Sequence, residues 1–138
     1  MERSLVLVKP DAMERDLAGA IIERLQAAGL KLAALRMLHM SKALAERHYA
    51  VHARKSFFSE LVDYITATPV VAAVFEGENA VERIRKITGV TDPAKAAPGT
   101  IRKDFGLDLQ RNSVHGSDSP ENAEKEIALF FKESEIFG

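Results

Sequence analysis

The stretch that most limits what this chain can become is Ser4-Leu5-Val6-Leu7-Val8. It is apolar without alternation and is stopped by Lys9-Pro10-Asp11, so it reads as a buried central strand. The proline cannot continue a hydrogen-bonded ladder and pushes Lys9 into an extended conformation, which presents that lysine at the edge of the core.

Two further strands are expected in the same sheet. Leu30 to Met40 reads as a long strand with Leu30, Leu32, Ala34, Arg36, Leu38 and Met40 on one phase, and Pro69 to Phe75 as a strongly buried one stopped by Glu76-Gly77. Between them lie helical patterns: Leu17 to Ala28 with Gly29 as C-cap, a helix capped by Ser41, and a short helix opened by Phe57-Phe58. Asn79 is expected to cap another helix running to about Thr88. Adjacent phenylalanines on a helix point about 100° apart, so Phe57 and Phe58 cannot both face one core. His48 and His52 at i, i+4 lack the glutamate and third ligand of a zincin, and His39 on its strand reads as structural.

From Gly89 to Gln110 the pattern loosens around Pro93, Pro98, Gly99 and Gly106, which marks a functional loop or an intersubunit segment. A very short last strand is expected around Ser113 to His115. The final helix should run from Pro120 to about Phe131, with Ser119 as N-cap and Ala123, Ile127, Phe130 and Phe131 as its apolar stripe. The skeleton is βαββαβ: an α+β, ferredoxin-like fold with a four-stranded antiparallel sheet and helices packed on it. At 138 residues and 46% hydrophobic content the expectation is one domain, residues 1–138, burying a single core.

The net charge of −1 gives no field to attract nucleic acid or an anionic membrane, and no apolar run approaches a membrane span. The absence of cysteine removes disulfides, thiolate metal sites and a cysteine nucleophile, and fits a reducing, cytoplasmic location. An RNA-binding ferredoxin-like module would display aromatics on its central strands, whereas Leu5 to Val8 has none and Val70 to Phe75 one.

Chemistry concentrates at Asn112-Ser113-Val114-His115-Gly116-Ser117-Asp118-Ser119, where one imidazole sits on a polar turn just ahead of a helix N-terminus. Glu126, beside the apolar stripe of that helix, needs a partner, and His115 is the nearest candidate. There is no GxxxxGK[ST], GxGxxG, serine elbow, HExxH or EF-hand loop. Phosphates would therefore be held by side chains, with Lys9, Arg85 and Arg102 the available cations.

The octapeptide resembles the active-site signature of nucleoside diphosphate kinases. The resemblance continues in order through Lys9-Pro10-Asp11, Leu17-x-Gly19-x-Ile21, His48-Tyr49, Phe57-Phe58, Gly77-Glu78-Asn79-Ala80 and Arg85. It extends through Gly89-x-Thr91-x-Pro93, Pro98-Gly99-Thr100-Ile101-Arg102 and Ala123-Glu124-Lys125-Glu126-Ile127. It implies that His115 carries the γ-phosphoryl group on Nδ1 from a nucleoside triphosphate, mainly ATP, to a nucleoside diphosphate in a ping-pong reaction. By the same likeness Glu126 holds the other ring nitrogen and Ser117 supports that carboxylate. Lys9, Arg85, Thr91, Arg102 and Asn112 contact phosphates, with Lys9 and Asn112 also reaching the ribose. Tyr49 lies near the phosphate path, and Phe57 stacks on the base without reading its edges. Mg2+ arrives on the nucleotide phosphates. Family members form hexamers or tetramers; the Gly89–Gln110 loop resembles the segment around a hexamer's threefold axis, so a homohexamer is expected, with a homotetramer the alternative.

Three positions depart from the family pattern: Val51 stands for a common acidic residue, Ser56 for a proline, and Asp16 for a frequent glycine in a turn. The last should cost little, because aspartate tolerates positive φ.

Overall fold

The computed structural model describes residues 1–138. Its sheet has the strand order β2-β3-β1-β4, with β1 spanning Glu2–Val8, β2 Lys31–Leu38, β3 Val70–Gly77 and β4 Val114–Gly116. Every neighbouring pair is antiparallel, which is the ferredoxin-like arrangement expected from βαββαβ. The long β1–β3 pairing, Glu2 against Gly77 through Val8 against Val71, makes these the central strands.

The core differs from the single one expected. Along β1 and β3 the side chains alternate between two apolar clusters, one on each sheet face. Leu5, Leu7, Ala72 and Val74 join Ala45, Val62, Ile65, Ile127 and Phe130 on one side. Val6, Val8, Ala73 and Phe75 join Ile21, Leu25, Ile84 and Ile101 on the other. The reason is already in the sequence: a strand with no polar phase needs cover on both faces. Helices α2 (Ala18–Ala27) and α5 (Ala80–Thr88) cover one face, and α3 (Lys42–His48), α4 (Phe58–Ile65) and α7 (Pro120–Phe130) the other.

Two short helices escaped the sequence reading. Pro10 begins α1 (Pro10–Glu14), since a proline fits the first helical turn, with Lys9 extended before it as expected. Thr100 caps α6 (Ile101–Phe105) by accepting from the Lys103 amide. The continuous phase expected of β2 is broken: Leu32 pairs with Phe75 and Ala34 with Val74, so Ala33 is an extra residue. Leu32 consequently packs with one cluster and Leu38 with the other.

Asn79 does not cap α5 with its side chain; it sits in the left-handed region at φ 50°. The orphan amide of Val81 donates instead to Glu2 Oε1 at 2.9 Å, tying α5 to the start of β1. Asp16 takes φ 58° in the turn before α2, as its residue type allows. Gly89 ends α5 at φ +92°, and a Cβ there would lie 2.7 Å from Thr100 Oγ1, so the loop closes against α5 only with glycine. Ser119 caps α7 through the Asn122 amide at 3.1 Å, as anticipated.

Candidate active site

The short strand β4 starts one residue later than expected, because Ser113 lies in the left-handed region at φ 75° and cannot join the ladder. His115 pairs with Leu7 in the centre of the sheet's edge pairing, so the backbone under the imidazole is fixed by β1. Its Nε2 lies 3.0 Å from Glu126 Oε1, and the Ser117 hydroxyl donates to the same oxygen at 2.7 Å. The Leu5 amide in turn donates to Ser117 Oγ at 3.2 Å, so the support runs back into the central strand. Burial alone would raise the Glu126 pKa, but the His115 and Ser117 hydrogen bonds and the neighbouring imidazoles hold it below the usual carboxylate range. An anionic Glu126 accepts, so His115 carries its proton on Nε2 and Nδ1 is the ring nitrogen left for a substrate.

His115 opens onto a cleft of about 640 Å³. Lys9, Tyr49, Phe57, Arg85, Thr91, Arg102 and Asn112 all line it, while Glu126 and Ser117 stand behind the imidazole. Nine residues named from sequence are thus gathered around the His115 ring.

Lys9, 7% exposed, donates from Nζ to Gln110 O at 2.7 Å and to Asn112 Oδ1 at 2.9 Å. Burial and then Arg102 push its pKa down to about 8, against the pull of Asp11 and Asp108. The Asn112 amide is oriented by Thr91 O and Leu109 O, both at 3.1 Å. Arg102 donates to Gly89 O at 3.1 Å and Val114 O at 2.8 Å, while its buried Nε has no partner. Burial, then the nearby Arg85, lower its pKa to about 10. The exposed Arg85 enters from α5.

Phe57 is the residue before α4 rather than its first helical one, and is 41% exposed at the cleft, whereas Phe58 packs against the core, so the two rings diverge as expected. Tyr49 is buried, and burial pushes its phenol up to about 12, so it remains a neutral hydrogen-bonding group. Val51, where an acid is common, is 80% exposed. Of the residues lining the cleft only Glu60 and Asp118 carry carboxylates, beside the cations Lys9, Arg85 and Arg102, which does not suit a protein-built Mg2+ site.

Three residues beside the cleft were not singled out as functional from sequence. His52 also lines it, its ring 5.6 Å from that of Phe57. His48 is buried with its ring 4.7 Å from His115, edge to face, and burial lowers its pKa to about 3, so it stays neutral. Its position one residue before Tyr49 was the available signal. Asp11 lies beneath Ser113, and only its place after Lys9-Pro10 pointed to it.

A ferredoxin-like sheet that offers a carboxylate-backed histidine to a cation-lined cleft defines a phosphotransferase. Comparison with known proteins gives the particular kind. The family model described as Nucleoside diphosphate kinase matches residues 2–136. A nucleoside diphosphate kinase of Dehalococcoides mccartyi is 59% identical over 136 residues, covering 99% of this chain and 96% of the relative. The crystal structure of the Aquifex aeolicus nucleoside diphosphate kinase superposes with a TM-score of 0.96 at 46% identity, covering 98% of each chain. The Halobacterium salinarum enzyme, solved in complex with CDP, also gives a TM-score of 0.96 at 46% identity, covering 99% of this chain and 91% of that one. The chain belongs to the nucleoside diphosphate kinase family, and its activity is phosphoryl transfer between nucleotides.

Proposed function

We propose that the reaction passes through a phosphohistidine on Nδ1 of His115. The observation that carries this reading is the 3.0 Å contact of Nε2 with Glu126, which reserves the other nitrogen for phosphorus. In the first half-reaction the Nδ1 lone pair forms a bond to the γ-phosphorus of ATP or another nucleoside triphosphate. The bond from that phosphorus to the bridging oxygen breaks, and the nucleoside diphosphate leaves with its electron pair. The imidazole gains a positive charge, which anionic Glu126 stabilises across the ring. A second nucleoside diphosphate then attacks the phosphorus with a terminal oxygen, and the N–P electrons return to His115. No separate base is needed, because neither nucleophile must lose a proton.

Lys9, Arg85 and Arg102 neutralise the phosphates, with Thr91 and Asn112 as uncharged donors, and in this reading Lys9 and Asn112, which line the same cleft, also reach the ribose. Tyr49 borders the phosphate path, and Phe57 offers a π-face that accepts any base. Mg2+ would be held by the nucleotide's own phosphates beside Lys9, Arg85 and Arg102 and would supply further neutralisation of their charge. In this reading catalysis is mostly positioning and electrostatics.

The working unit is a homohexamer, with a homotetramer as the alternative. Edge strand β2 supports self-association, with Leu35 51% and Met37 64% exposed along an unpaired ladder. Exposed Val90, Leu107 and Leu109 in the long loop offer a second apolar surface. Light scattering coupled to size exclusion distinguishes six copies from four. The cytoplasm, where nucleoside di- and triphosphates are pooled, is the proposed location; no helix is long and apolar enough to cross a membrane.

The test is incubation with radiolabelled ATP alone. An acid-labile phosphoenzyme that discharges onto a cold diphosphate is expected, and it should vanish in His115→Ala. A phosphoenzyme persisting in that variant overturns the assignment.

A further inference from the structure

A buried acid that touches neither His115 nor the cleft lining stands out beneath the catalytic strand. Asp11 is 4% exposed and uses both carboxylate oxygens. Oδ1 accepts from the Tyr64 hydroxyl at 2.5 Å and from the Ser113 amide at 3.3 Å. Oδ2 accepts from Arg15 Nη2 at 3.2 Å and from Ser113 Oγ at 3.4 Å. The Asp11 amide donates back to the Tyr64 hydroxyl at 3.0 Å, so residue 64 grips both backbone and side chain. Arg15 is itself held by Asp11 O at 3.1 Å and by Phe105 O at the end of α6.

Both carboxylate oxygens of Asp11 also lead to the active strand, through Ser113. Ser113 is the non-glycine residue with the largest positive φ in the chain, at 75°, and such a conformation persists only where its surroundings enforce it. Asp11 bonds both its amide and its hydroxyl, while the Lys9 amide donates to its carbonyl at 2.9 Å. Directly before Ser113 is Asn112, which orients the Lys9 ammonium; two residues after it is His115. The Lys9 ammonium also lies 5.6 Å from the centre of the Tyr64 ring.

We propose that Asp11, gripped by Tyr64 and Arg15, is a positioning residue for phosphoryl transfer: it holds the Ser113 kink, and through it the Lys9–Asn112 pair and the strand carrying His115, and it sets a carboxylate among the charges that act on Lys9. The proposal rests on the reading of Lys9 and Asn112 as phosphate contacts. Its electrostatic half concerns a lysine acted on by Asp11 from α1, Arg102 from α6 and Asp108 from the long loop, with Tyr64 from α4, His48 from α3 and His115 from β4 on its other sides and Arg15, just past α1, paired to Asp11. Among these Asp11 and Asp108 favour the charged form, and Asp108 is committed to Arg111 at 2.7 Å on the surface.

Asp11→Asn keeps the shape and removes the charge. The folded variant is expected to lose at least tenfold in kcat/KM at pH 7.5. The alkaline limb of its pH profile should move down by about one pH unit, the scale of losing a nearby opposite charge. Titration of 13C-labelled lysine, without nucleotide, should show the Lys9 ammonium deprotonating at lower pH by a similar margin. Tyr64→Phe leaves the ring beside Lys9 and removes only the grip on Asp11, so a loss of several-fold with an unmoved lysine titration is expected even where Asp11→Asn fails to fold. Wild-type kcat/KM in Tyr64→Phe overturns the proposal. So does a folded Asp11→Asn whose alkaline limb and lysine titration stay in place, because that marks a merely structural carboxylate. Lys9→Met separates the two readings. Full activity in that variant removes the phosphate-contact reading, while the lysine titration of Asp11→Asn still decides what Asp11 does to Lys9.

Discussion

Glu126→Gln tests the reaction at its most local point. The amide keeps an oxygen to accept from His115 Nε2 and from the Ser117 hydroxyl, so both contacts, 3.0 Å and 2.7 Å, survive while the charge is lost. A charge-assisted hydrogen bond contributes roughly 1.5–3 kcal/mol and a neutral one about 1, leaving a difference of about 1–2 kcal/mol. The side chains are 25% and 18% exposed, so solvent screens part of this but not most of it. The difference counts chiefly in the transition state and the phosphoimidazolium, where the ring acquires positive charge. At about 1.4 kcal/mol per decade, the phosphorylation rate should fall roughly 5- to 30-fold. Rapid-quench measurement of phosphoenzyme formation from radiolabelled ATP gives that rate directly, and the equilibrium level of phosphoenzyme should fall with it. A rate within twofold of the parent, in a variant with unchanged thermal stability, refutes the idea that Glu126 acts through its charge.

Phe57→Ala should weaken nucleotide binding by roughly 1 kcal/mol, about fivefold, to a similar extent for all bases, as expected of a half-exposed stacking face. A strong new preference for one base, read by isothermal titration across four diphosphates, would contradict the stacking role. Leu35→Lys combined with Met37→Lys places charge on the exposed edge of β2 and should lower the assembly state seen by light scattering; an unchanged mass would place the interface elsewhere. The folded state lowers Lys9 from 10.5 to about 8, so between these values the unfolded chain binds the extra proton and stability gains from rising pH. Denaturation of the parent relative to Lys9→Met should therefore show a difference that grows in the parent's favour from pH 8 to 10.5, and a flat difference would mean that Lys9 is not desolvated.

Why some of this was visible in the sequence and some not follows from how far each feature reaches along the chain. The strands β1 and β3, the Ser119 cap and the Gly89 stop depend on neighbours a few residues away, and each was legible. That the named residues would share one cleft was legible only through the resemblance, because Arg85, Thr91 and Tyr49 carry no local sign of it. Features set by partners far along the chain were hidden. The α5 cap comes from Glu2, 79 positions away, so Asn79 looked sufficient and was not. Asp11 meets Ser113 across 102 positions, and nothing near either residue announces the kink they share. The Ala33 bulge was lost because β2 is apolar on both phases over that stretch, so a shift of one residue leaves the pattern looking unbroken.

The same long-range packing loads the cleft with buried positive charge, and that gives a last prediction. Lys9 and Arg102 are both desolvated, each depressed further by a neighbouring cation, and the buried Arg102 Nε has no acceptor. A folded chain that holds cations this way carries a cost that a polyphosphate relieves by returning opposite charge to the cluster. The largest proton consequence falls on Lys9, because its value of about 8 lies closest to neutrality. Binding a nucleoside diphosphate must raise that value, so at pH 8 to 8.5, where a substantial fraction of the free enzyme is deprotonated at Lys9, binding should take up a fraction of a proton. Titration calorimetry in buffers of differing ionisation enthalpy reads the uptake as the slope of observed enthalpy against buffer enthalpy. The slope should shrink towards zero at pH 6.5, once the nucleotide's own phosphate ionisation is subtracted, and should be lost in Lys9→Met at pH 8.5. Equal slopes for the two proteins at pH 8.5 would mean that the lysine is fully charged before the phosphate arrives, and the claim that the fold holds Lys9 partly discharged would be wrong.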